Sequence, residues 1–158
     1  MTTARFTVPK HRLTEQLKTP GGLPVAEAVA NAEANLAELK PQCGGELNAL
    51  LAEAEKVFAT LGAGYDPAAM DALYNTAVRG IGLGAVFGAA SVDVALHSLC
   101  DLLDHLKTNG RYDSEAVGVH LRAWRLLINT ELPEAGANAV LAGLTKVSAL
   151  YGAKAAEA

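Results

Sequence analysis

Four histidines, two cysteines and a cluster of glycines are the places where this chain of 158 residues has the means for chemistry. A histidine titrates near neutrality and serves as nucleophile, proton carrier or metal ligand, so each one is weighed separately. His11 lies in a polar amino-terminal stretch and is expected to be solvated. His97 and His105 fall about 100° and about 200° from neighbouring Leu96 and Leu103 on a helical wheel, off the Leu96, Leu99, Leu103 stripe, and are expected to be exposed. His120 falls at the edge of a Val117, Leu121, Trp124 stripe and is expected to be half-buried with one hydrogen bond. Asp101, Asp104 and His105 have helical spacing suited to a metal, but no further ligand joins them, so neither metal nor cofactor is expected. Gly80-x-Gly82-x-Gly84 imitates a phosphate-cradling loop. Such a loop follows a strand, whereas an amphipathic helix precedes this one, and nucleotide binding is not expected. No GxSxG, Walker A, HExxH or paired-carboxylate pattern is present, so the chain reads as a non-enzyme.

The elements that would position these residues are helical. Residues 1–23 read as an arm, with Arg5-Phe6-Thr7-Val8-Pro9 extended, a short helix from His11 to Lys18, and Thr19-Pro20-Gly21-Gly22 ending it. From Pro24, the residues Val25, Ala28, Val29, Ala32, Leu36 and Leu39 follow helical spacing, with Pro41 and Gly44-Gly45 expected to break or kink the run. Leu47, Leu50, Leu51, Ala54, Phe58 and Leu61 form a second stripe, stopped by Gly62 and Gly64. Asp66-Pro67 is a helix start, followed by Met70, Leu73, Tyr74, Ala77 and Ile81 on one face. A further helix starts near Ser91, and Asp113-Ser114 caps the next, with Val117, Leu121, Trp124 and Ile128 inward. The last helix carries Val140, Leu144, Val147 and Tyr151, and 153–158 is a tail expected to fray.

Composition agrees with a helical reading. Hydrophobic residues make up 51% and aromatics only 5%, a profile rich in Ala and Leu that favours packed helices over sheets. The net charge of −4 and a pI near 5.5 speak against a nucleic-acid partner, which calls for a basic face. No run reaches the ~18 apolar residues of a membrane span. Cys43 and Cys100 stand far apart and outside any CxxC pattern, which fits a reducing, cytoplasmic setting.

Within this frame, Leu73-Tyr74-Asn75-Thr76-Ala77-Val78-Arg79-Gly80-Ile81-Gly82 with Phe87-Gly88 resembles the signature of histidine phosphotransfer (HPt) domains. In that family a helix carries the phospho-accepting histidine, then any residue, Leu or Ile, Lys and Gly, with Phe-Gly further on. Ser98–Leu103 and Val119–Leu127 resemble the two following helices, the second with a structural histidine at His120. Setting Phe87-Gly88 in register puts Val78 at the phospho-acceptor, Gly80 at the Leu/Ile position and Ile81 at the lysine, and retains Gly82. Arg5–Pro9 and Pro20–Leu23 also resemble small CheE-type proteins encoded beside bacterial chemotaxis genes.

The resemblance implies an all-α fold, an antiparallel four-helix bundle of HPt type over 24–152. Its helices would run 45–61, 67–81, 91–107 and 114–129, with extra flanking helices outside. Val78 offers no lone pair and Ile81 no charge, so the relay chemistry would be lost while docking survives. The implied function is a non-catalytic adaptor that binds a response-regulator receiver domain, or a histidine-kinase pathway protein. Val78, Arg79, Ile81, Gly82 and Gly84 would form the docking surface. Two other readings stand: phosphotransfer through His105, with Lys107 and Gly110 nearby, and a purely structural bundle.

Overall fold

A computed structural model describes residues 21–61 and 64–155, with side-chain environments up to residue 152. The chain divides into two compact units, Met1–Asn35 and Leu36–Ala158. Six helices lie among the described residues: α1 Val25–Leu61, α2 Pro67–Gly80, α3 Leu83–Phe87, α4 Ala90–Thr108, α5 Ser114–Asn129 and α6 Glu134–Ala155. No strand occurs among them. Residues 1–20 of the arm expected over 1–23, with His11, the stop at Gly62 and the end of the tail lie outside the described residues. None of the described helices is long and apolar enough to cross a membrane.

Helix starts follow the expected capping chemistry. The Asp66 carboxylate accepts from the amides of Ala68 and Ala69, with Pro67 in the first turn, where a missing N–H costs nothing. Asp113 Oδ1 accepts from the amides of Glu115 and Ala116 at 3.0 Å each. Asp113 Oδ2 also accepts a hydrogen bond from the Tyr151 hydroxyl, which ties α6 to the start of α5. Burial, and then that hydrogen bond, pushes the Tyr151 phenol up to about 12.

Of the break or kink expected at Pro41 and Gly44-Gly45, a break does not occur: α1 runs through all three. A proline in a helix interior removes one backbone hydrogen bond and crowds the carbonyl four residues earlier, at a cost of ~3 kcal/mol. The turns beyond it offset that cost by burying Leu47, Leu50, Leu51 and Ala54. Gly44 is not a breaker but a contact point: a Cβ there would stand 2.6 Å from the Phe87 ring. The stripe ahead of Pro41 has helical spacing without burial. In the first unit Val25 and Val29 are exposed, and in the second Leu36 and Leu39 are exposed.

The expectation that the last helix flanks the body from outside is also corrected. Helix α4 is the hub, packing on α2, α3, α5 and α6, and most extensively on α6. It buries Val92, Ala95, Leu96, Leu99, Cys100, Leu102, Leu103 and Leu106, more than one face of a surface helix holds. Helix α6 therefore belongs to the core, with Leu144 and Ser148 buried and Val140, Val147 and Tyr151 half-buried. Helix α3 is a further element that the glycine-rich run concealed. It is bounded by Gly82 and Gly88, at φ 93° and 98°, a left-handed conformation that glycine adopts without steric cost.

Candidate functional site

The five residues expected to form one docking surface divide into two groups. Val78 is 43% exposed on α2. Arg79 is exposed but engaged, its guanidinium reaching Glu53 at 3.2 Å and Glu46 at 3.5 Å on α1. Thr76 donates to the same Glu53 carboxylate at 3.0 Å, so this contact locks α2 onto α1. Gly82 is exposed, with open space where a Cβ would be. Ile81 and Gly84 point the other way. Helix α2 ends at Gly80, and Ile81 turns to an extended conformation and packs half-buried on the core. Gly84 is buried, and a Cβ on it would stand 2.8 Å from the Ala89 carbonyl oxygen. Gly80 is likewise a packing position, 2.8 Å from a Leu96 methyl by the same measure. Two glycines of the cluster thus serve close packing, which residue type alone did not distinguish from an approach route for a partner.

The resemblance of the glycine run to a phosphate cradle has a physical basis, and the cradle is filled. Asp93 on α4 accepts from the backbone N–H groups of Gly82 at 3.0 Å, Gly84 at 3.0 Å and Ala85 at 2.8 Å. Three converging amides are what an anion needs, and here the chain's own carboxylate occupies them. No sequence reading singled out Asp93. Its only signal was an acidic residue in the first turn of a helix that follows a glycine run.

The histidines separate sharply. His97 is exposed, as expected. His105, expected to be exposed, is half-buried: its Nε2 lies 2.9 Å from the place a Cβ on Gly152 would take, so α6 covers the ring. Lys107, which would have assisted it, pairs with Asp71 and sits 5.4 Å over the Tyr74 ring. The hydrogen bond to Asp71 is the main reason its pKa is raised. Among the described residues, no group of three or more His, Cys, Asp or Glu is arranged to hold a metal ion. Burial, reinforced by Asp101 and Asp104, pushes the Cys100 thiol up to about 11, which keeps it a poor nucleophile.

His120 was expected to be half-buried with one hydrogen bond, and it is 1% exposed with partners at both ring nitrogens. Nδ1 donates to the Ala116 carbonyl at 2.9 Å, leaving the Nε2 lone pair to accept from Ser98 Oγ at 3.0 Å. Ser148 Oγ lies 3.4 Å from Nε2 and donates to the Ser98 carbonyl at 3.0 Å. The cluster joins α4, α5 and α6 through polar contacts inside the core. It has the contacts of a serine–histidine pair, but its burial makes it a structural buckle. Ser148, a polar residue between Leu144 and Tyr151 on an inward stripe, was the available clue.

Burial lowers the His120 pKa, and the Ala116 carbonyl offsets this only in part. The native ring therefore stays neutral where the unfolded one, near 6.5, takes a proton. Stability is full above that value and falls as pH drops through and below it. Urea unfolding from pH 8 to pH 5 is expected to show this fall, and His120→Leu is expected to flatten it. An equal slope in both proteins would assign the acid sensitivity elsewhere.

With this geometry in view, comparison with known proteins gives no relative: no family model, curated protein or solved structure matches the chain.

Proposed function

We propose that the chain is a non-catalytic signalling adaptor of HPt type. It docks a response-regulator receiver domain through the end of α2 and the adjoining glycine loop, without passing phosphate. The observation that carries this reading is the exposure of Val78, the residue that the Phe87-Gly88 register sets at the phospho-acceptor position. An isopropyl group on an accessible helix face can bury area against a partner and cannot attack a phosphoryl group. Exposed Gly82 beside it leaves room for a partner's backbone.

A pull-down against a panel of receiver domains tests the proposal. Wild-type protein is expected to retain a receiver and to gain no acid-labile, base-stable phosphate from a phosphorylated one. Val78→Arg is expected to abolish retention while shifting stability by no more than ~0.5 kcal/mol, because the site is exposed. Retention of no receiver, or equal retention by Val78→Arg, would overturn the reading. Phosphate on wild-type protein that disappears with His105→Ala would establish phosphotransfer instead. Gly82→Arg is a poorer probe, since a side chain at φ 93° strains the loop regardless of binding.

A further inference from the structure

Every residue of α1 from Val25 to Gln42 is exposed, although a free helix of this length is marginal in water. Val25 and Val29 in the first unit are 80% and 51% exposed, and Leu36 and Leu39 in the second are 50% and 45% exposed. Along the sequence Val25, Val29, Ala32, Leu36, Leu39 and Cys43 recur in alternating steps of four and three. An apolar repeat every ~3.5 residues is the seam along which two helices wind together. The charges of the segment are sorted about this seam. Glu27 and Glu38 fall on the outer side of the helix, as does Pro41. Glu33 and Lys40, seven residues apart and opposite in sign, flank the seam on one edge. The other edge is neutral, with Ala28, Asn35 and Gln42. Neither Glu33 nor Lys40 has an ion pair among the described residues.

We propose that the start of α1 pairs with the same segment of a second copy of this chain, antiparallel, through this seam. A two-fold axis across the helix sets like edges together, so Glu33 of each copy meets Lys40 of the other. A parallel pair sets unlike edges together and leaves both charges against Ala28, Asn35 and Gln42. Charge also fixes the register. With Leu36 of one copy level with Leu39 of the other, Glu33 and Lys40 fall opposite, and Ala32 lies level with Cys43. A slip of one heptad sets Glu33 against Glu33 in one direction and Lys40 against Lys40 in the other. The surface is therefore complementary to itself, which selects a second copy as its occupant. The seam is shorter than three heptads, so the dimer is weak and concentration-dependent. It does not depend on receiver docking at Val78.

Sedimentation equilibrium of the full-length reduced protein, from micromolar to near-millimolar concentration, tests it. Wild type is expected to dimerise and Leu36→Asp to stay monomeric. At low concentration the two are expected to melt alike, because the site is exposed. Glu33→Lys and Lys40→Glu are each expected to weaken the dimer about tenfold, as two exposed ion pairs become like-charge contacts. The double variant, with both charges exchanged, is expected to dimerise as wild type does. Oxidation reads the direction: Ala32→Cys is expected to form a disulfide with Cys43 of the second copy, in preference to one between the two Cys43 thiols. A wild-type monomer throughout would overturn the proposal and leave the stripe to a different protein. A dimer indifferent to Leu36→Asp, a double variant as weak as the single ones, or a dominant link between the two Cys43 residues would also overturn it. So would a large loss of melting temperature in Leu36→Asp, because the chain would then cover the stripe itself.

Discussion

Leu99→Ala is expected to lower the unfolding free energy by about 2–5 kcal/mol, measured by urea denaturation at neutral pH. Leu99 is 1% exposed on α4, the helix that packs against α2, α3, α5 and α6. Truncation there removes apolar burial and leaves a void that rigid neighbours on several sides cannot close. The range is wide because it depends on how far those neighbours relax. Val94→Ala on the same helix is the matched control: Val94 is 50% exposed, and its truncation is expected to stay within ~0.5 kcal/mol. If the two substitutions cost the same, the face assigned to the core is wrong.

That face was legible in the sequence because helical periodicity records burial wherever a helix has one apolar side. The Leu96, Leu99, Leu103 stripe, the Val117, Leu121, Trp124, Ile128 stripe and both aspartate caps required only spacing and residue type. Periodicity failed where spacing and burial part company. Val25, Val29, Leu36 and Leu39 carry the helical pattern yet remain exposed. It also understated α4 and α6. A hub helix buries residues around much of its circumference and so blurs its stripe, while α6 contributes Ser148 where a hydrophobic residue was the natural expectation.

Glycine was the least legible residue, because one side chain answers several structural demands. Gly44 admits the Phe87 ring, Gly80 admits a Leu96 methyl, and Gly82 and Gly88 supply left-handed turns. Gly84 fits between Ala89 and Asp93. Gly44 lies inside a helix that it does not break, whereas Gly82 and Gly88 bound α3. The partner of each lies elsewhere in the chain, so only the fold could assign its role. The same holds for His105, whose exposure depended on α6 arriving over it.

Asp93→Ala is expected to cost about 2–4 kcal/mol, nearly as much as a core truncation, from a position that sequence reading passed over. The carboxylate serves three amides, and hydrogen bonds to a charged group contribute about 1.5–3 kcal/mol each. The sum overstates the loss, because the contacts of Gly82 and Ala85 are exposed and water replaces the carboxylate there. Gly84 is buried, so its amide bears most of the penalty when the acceptor is removed. Asp93→Asn keeps an oxygen acceptor and the side-chain volume while losing the charge, and is expected to fall between wild type and Ala. Amide hydrogen exchange gives the local readout. In Asp93→Ala, exchange at Gly82, Gly84 and Ala85 should accelerate well beyond that at Leu121 or Trp124, because the loop opens before the bundle does. Uniform acceleration would mean that Asp93 stabilises the fold as a whole. Unchanged exchange at the three amides, with no loss of stability, would show that the carboxylate does not fill the cradle.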